Sequence, residues 1–195
     1  MDDHLDMFLA AQHAFTDRVH AVRDEQWLLP TPNVEWDVAR LVRHLIEEHR
    51  WAPPLVHGLD LESAGKVVAG SRTLPVDGGV GANRSEEWDE AAVGSADAFA
   101  ADGALDRTVE LSRGPTPARA YISEMIFDLV VHGWDLGRAI EYSEPLPSDV
   151  VDADYAQARE YGDLSSSGVF DKPVDVPDAA PTIDKLVALT GRDPG

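Results

Sequence analysis

Apolar residues recur at helical spacing along several long stretches of this chain. Over residues 3–24, Leu5, Phe8, Leu9, Phe15, Val19 and Val22 form one stripe, and His13 and His20 fall on the opposite, solvated side. Pro30 and Pro32 end that helix, since proline cannot continue one. A second helix is expected from about 38 to 51, with Asp37 as its N-cap. Its apolar face is Val38, Leu41, Val42, Leu45 and Ile46. His44 lies on the flank of that face, and Glu48 follows one turn later on the same side. By periodicity alone His49 is more buried than His44.

Residues 60–82 are glycine-rich and weakly periodic, and read as a long irregular connection of a kind that is often functional. A third helix is expected over 84–101, with Asn83 and Glu86 at capping-box spacing and Trp88, Ala91, Ala92, Ser95 and Phe99 on one face. "RTVELS" reads as a short extended piece. The fourth helix starts near Pro117, with Thr116 as its cap, and runs toward Glu141. Its apolar residues, from Tyr121 to Ile140, go nearly all the way round, which marks a central, buried helix. Within it, Gly133 and Gly137 weaken the helix or admit a close neighbour. The tail predicts a helix at about 149–161, a Ser/Gly/Pro-rich stretch with "SSSG" as a flexible loop, and a last helix at about 179–190 stopped by Gly191. Four main helices with little strand signal make an all-α bundle.

The charge narrows the function. Against 36 acids stand 16 bases, a net charge of −20, so phosphate backbones and anionic membranes are repelled and no nucleic-acid or membrane partner is expected. The 195 residues, 44% of them apolar, suit one domain over 1–195 with a real core. No apolar run is long enough for a membrane span, and "MDDHLDMF" does not resemble a signal peptide, so a cytoplasmic protein is expected. Cysteine is absent. Any thiol chemistry therefore needs an external thiol.

"FDLVVHGWDLGRA", residues 127–139, sets Asp128 and His132 one turn apart inside the buried helix. A buried carboxylate needs a partner. Two readings follow: a divalent ion shared with ligands from a facing helix, or a polar pair in which His132 and Asp128 satisfy each other. Asp135 and Arg138, three residues apart, read as an ordinary helix ion pair, and Glu124 as pointing to solvent or a loop. Trp36, Trp51 and Trp134 read as core. No H-E-x-x-H, P-loop or G-x-S-x-G motif is present.

"PTPNVEWDVARLVRHLIEEHRW", "DLVVHGWDLGRA" and "GVFDKPVDVPDAAPTIDKLVALTGRDP" together resemble, in order, the mycothiol-dependent maleylpyruvate isomerase metal-binding domain family, within the DinB-like (YfiT-like) superfamily. The last stretch is similar to a short, single-domain branch. The resemblance implies a DinB-like four-helix bundle over about 1–142 with a short helical extension over about 143–195. It also implies one divalent metal held by His44, Asp128 and His132. Zinc suits that mixed donor set best, and nickel or iron also accept it. By the same resemblance the cofactors are this metal and a low-molecular-weight thiol such as mycothiol. The partner is a small electrophilic substrate, and homodimerisation is a superfamily expectation. The activity implied is that of a transferase or isomerase; a metal-binding regulatory module without turnover is the alternative. The isomerase has Glu where this chain has Asp128, whose shorter arm either reaches the metal or orients His132.

Overall fold

The computed structural model describes residues 3–71 and 84–195. Four long helices form the bundle: α1 (Asp3–His20), α2 (Val38–Val56), α4 (Arg84–Ala100) and α5 (Ala118–Ile140), with the short α3 (Leu61–Gly70) between the middle two. α1 packs on α5 and on α4, α2 packs on α4 and on α5, and the ring is closed. Phe8, Phe15, Trp88 and Phe99 fill its centre. The Phe15 and Trp88 rings lie 4.7 Å apart, and Phe8 meets Phe99 edge-on at 5.2 Å. Burying side chains of this size supplies the main driving force for the fold. A buried polar group crosses this centre: Gln12 donates to Ala92 O and to Ser95 Oγ, and Ser95 Oγ lies 2.7 Å from His49 Nδ1. His49 is fully buried, as its periodicity requires.

Asp37 caps α2 by accepting a hydrogen bond from the Arg40 N–H at 2.7 Å. The helix then runs past the expected end at 51, through Pro53 and Pro54. Proline's fixed φ is helical. Only the hydrogen bonds to the carbonyls four residues back are lost, and burial of Ala52, Leu55 and Val56 offsets them. Part of the expected irregular connection is also helical. Asp60 caps α3 through the Ser63 N–H, and Ala64 and Val68 seat it on the bundle. The remainder of that connection and the Asn83 cap lie outside the described residues.

The start of α5 differs by one residue from the expectation. β1 (Thr108–Leu111) and β2 (Gly114–Pro117) form a small antiparallel hairpin, and Thr116 belongs to it, its hydroxyl donating to Gly114 O. Pro117 takes the cap position. The Ala118 N–H, the first of the helix's unpaired donors, donates to Arg107 O at 2.9 Å. Gly137 admits a neighbour, since a Cβ there would press on the Arg18 guanidinium. The Arg18 side chain donates to Ala14 O and to Glu144 O.

α6 (Ser148–Tyr161) and α7 (Thr182–Leu189) pack on each other, and α6 also touches α5 and α1. A single 3-10 turn, Leu164–Ser167, follows α6, capped by Asp163 on the Ser165 N–H. Gly191 ends the last helix with φ +84°. Among the described residues, no helix is long and apolar enough to cross a membrane.

Candidate metal centre

α2 and α5 pack side by side, and this brings His44 to the pair on α5. His44 Nε2 lies 3.0 Å from Asp128 Oδ2, and His132 Nε2 lies 3.5 Å from Asp128 Oδ1. One donor atom from each of the three residues lies within 4.8 Å of the others. Trp36, just before α2, stacks on His132 with ring centres 5.3 Å apart and tilts over His44 at 4.8 Å. The three tryptophans expected in the core are half-buried instead, and Trp36 serves as a cover on the two imidazoles.

The far nitrogen of His132 is held separately. His132 Nδ1 lies 3.0 Å from Asp135 Oδ2, and Asp135 is fully buried. The Arg192 guanidinium closes on the same carboxylate: Nε–H donates to Oδ1 at 3.1 Å, and Nη2–H donates to Oδ2 at 2.8 Å. The expected Asp135–Arg138 pair therefore does not form. Asp135 faces inward with His132, and Arg138 lies over the Trp134 ring instead. Asp128, Asp135 and His132 thus divide the work. Asp128 faces the Nε2 edge of the imidazole, and Asp135 faces the Nδ1 edge.

Electrostatics follow from this packing. Burial alone lowers the pKa of His44, but the hydrogen bond and charge of Asp128 outweigh it, and the net shift is upward. Burial raises the Asp128 pKa, but His132 and His44 outweigh it and hold the carboxyl below its ordinary value. For Asp135, the His132 and Arg192 hydrogen bonds likewise overcome burial and keep it ionised. The donor set suits a divalent ion. Two imidazole nitrogens and a carboxylate converge, and the carboxylate on the opposite nitrogen fixes which nitrogen of His132 faces inward.

Beside Asp128 opens a cavity of about 520 Å³. Glu48, His49 and Tyr121 form part of its wall, and residues 164–170 form another part. Burial, then the neighbouring Asp128, pushes the Glu48 carboxyl above its ordinary range. Burial drags His49 down to about 3, which leaves it neutral. Glu124, expected to face solvent or a loop, pairs with Arg113 of the hairpin turn at the cavity rim.

Sequence reasoning missed Asp135, Arg192 and Trp36 as parts of this centre. For Asp135 a signal existed: it stands three residues after His132, on the same helix face. Arg192 lies 57 residues from Asp135 and leaves no trace in spacing.

The family model described as mycothiol maleylpyruvate isomerase N-terminal domain matches residues 8–137. Two uncharacterized proteins of Mycobacterium tuberculosis, from strains H37Rv and CDC 1551, are 28% identical over 189 residues, covering 93% of each chain. Among solved structures, that of the mycothiol-dependent maleylpyruvate isomerase superposes with a TM-score of 0.59 at 14% identity, covering 80% of this chain and 68% of the other. A histidine-to-alanine mutant of that enzyme gives 0.58 at 13% identity over the same shares. At such identity the likeness establishes a common fold.

Proposed function

The chain belongs to the mycothiol maleylpyruvate isomerase N-terminal domain family, and on that premise we propose that it is a metal-dependent enzyme that uses a low-molecular-weight thiol, of the mycothiol kind, on a small electrophile. The observation that carries this reading is the convergence of His44, Asp128 and His132, of which Asp128 also lines a cavity large enough for a small molecule. His44 Nε2, His132 Nε2 and the Asp128 carboxylate would hold the ion, zinc best and nickel or iron as well. Asp135 already serves the Nδ1 edge of His132, which favours Asp128 as a donor rather than as a prop. A divalent ion with three protein donors keeps a position open and supplies the charge that lowers a thiol's pKa.

The chain's own residues do the rest. Asp135 and Arg192 orient His132. Trp36 shields both imidazoles from water on one side. The cavity wall positions the electrophile beside Asp128. With no cysteine in the chain, the sulfur comes from the cofactor thiol. Localisation in the cytoplasm, where such thiols are kept reduced, fits this reading.

Calorimetric titration with mycothiol tests it. Zinc-loaded protein is expected to bind the thiol, while chelator-treated protein and the His132→Ala and Asp128→Ala variants lose at least ten-fold in affinity. Equal binding with and without metal, or none in either state, would contradict the proposal.

A further inference from the structure

We infer that the cavity beside Asp128 takes an uncharged, largely apolar electrophile carrying a ring, and disfavours one that bears carboxylates. The inference rests on the thiol-dependent reading for its chemistry, but the selectivity follows from the wall itself. The surface that the wall presents is mostly apolar, and Leu45, Met125, Phe127, Leu164, Val169 and Phe170 contribute to it. Phe127 and Phe170 meet edge-on with centres 5.9 Å apart, so α5 and the segment after α6 present aromatic edges and faces to whatever enters.

The charged groups on the wall are one-sided. Glu48, Glu124 and Asp128 line it, and among the described residues lining it Arg113 is the cation, already committed to Glu124. His49 supplies no positive charge, because burial keeps it neutral. An entering carboxylate would give up its water and find acidic neighbours without a free cation to pair with, which is costly. A divalent ion on His44, Asp128 and His132 does not reverse this balance. Its two charges are matched by Asp128 and by one thiolate, and Glu48 remains in the wall.

Neutral polar groups are available instead. Burial, then Glu48, Glu124 and Asp128, raise the Tyr121 pKa, so its hydroxyl keeps its proton and can donate to a carbonyl or nitro oxygen. Gln157, Tyr161 and Ser167 add uncharged donors and acceptors on the opposite wall. An apolar pocket with a few convergent neutral polar groups selects an uncharged molecule.

A matched pair of inert probes tests this without metal or thiol chemistry. Dimethyl phthalate and phthalate share a ring and differ by two charges. Their binding is measured by calorimetry on chelator-treated protein, so that the phthalate carboxylates have no metal ion to ligate. The ester is expected to bind about tenfold more tightly than the dianion. Compared at pH 8, so that the Glu48 carboxyl is ionised despite its upward shift, Glu48→Gln should tighten phthalate severalfold and leave the ester within twofold, and Phe127→Ala should weaken the ester. Should Glu48→Gln fail to fold, raising the salt concentration on the wild-type protein should narrow the gap instead. Phthalate binding as tightly as its ester, or a gap insensitive to both Glu48→Gln and salt, would overturn the inference. Because neither probe needs the metal or the thiol, a protein that binds no mycothiol would sink the proposed function and leave this comparison standing.

Discussion

Arg192→Ala should loosen the proposed metal site, although Arg192 touches none of its three donor residues. Asp135 is fully buried, and its carboxylate is shared between His132 Nδ1 and the Arg192 fork, with contacts of 2.8–3.3 Å to the guanidinium. Removing the arginine leaves a buried charge with one partner. Breaking such a pair costs about 3–5 kcal/mol of folding stability. Asp135 then gains a proton more easily and grips the imidazole less firmly, so His132 is free to rotate or to change tautomer. Outer partners of this kind are worth about 10–100-fold in metal affinity. The assay is a zinc competition titration against a chromophoric chelator, run beside urea denaturation. Arg192→Lys should fall between wild type and alanine, because lysine keeps the charge but loses the two-pronged geometry. A folded Arg192→Ala protein with zinc affinity within twofold of wild type would refute the reasoning.

Other substitutions probe separate parts of the account. Gly191→Ala should cost at least about 1 kcal/mol, read by denaturant midpoint, because the left-handed backbone at φ +84° disfavours a side chain and a Cβ would run into Asp171. Burial pushes the Asp154 carboxyl up to about 7, and its Oδ2 has no hydrogen-bond partner. The folded chain therefore holds that proton more tightly than the unfolded chain does, and the contribution of this one group to stability should be lost as pH rises from about 3.8 to 7, by on the order of 4 kcal/mol, against an opposing contribution of similar size from His49. Asp154→Asn should remove that slope in denaturation measured across the window, and expose the opposite slope from His49, which is buried neutral and favours the folded state as pH rises from about 3 to 6.5. Asp128→Asn should lower the His44 pKa, followed by NMR on chelator-treated protein, because burial then acts without its opposing charge.

The bundle was legible in the sequence because burial follows period. The apolar stripes of the first two helices (save for Leu9, which is exposed), the Asp37 cap and the nearly all-round apolar fourth helix each appear in the structure close to where spacing put them. The expected ends failed where rules about single residues met tertiary packing. Pro53 and Pro54 lie within α2 because its last turn is buried, and Thr116 joins a hairpin, with Arg107 O, just before the partner strand, accepting from the helix start. His44 came from family resemblance, since periodicity favoured His49. Spacing suggests an ordinary helix ion pair of Asp135 with Arg138, because local spacing cannot see an arginine arriving from the far end of the chain. The cavity was invisible for the same reason, as its wall joins α2, α5, α6 and the segment after α6.

Elemental analysis of the purified protein, before and after chelation and with His132→Ala beside wild type, is the decisive measurement for the metal centre. Close to one divalent ion per wild-type chain is expected after zinc loading and dialysis, with its release by chelator and little retained metal in His132→Ala despite an intact helical fold. Wild-type protein that retains no metal, or His132→Ala that retains as much as wild type, would contradict the proposed metal site.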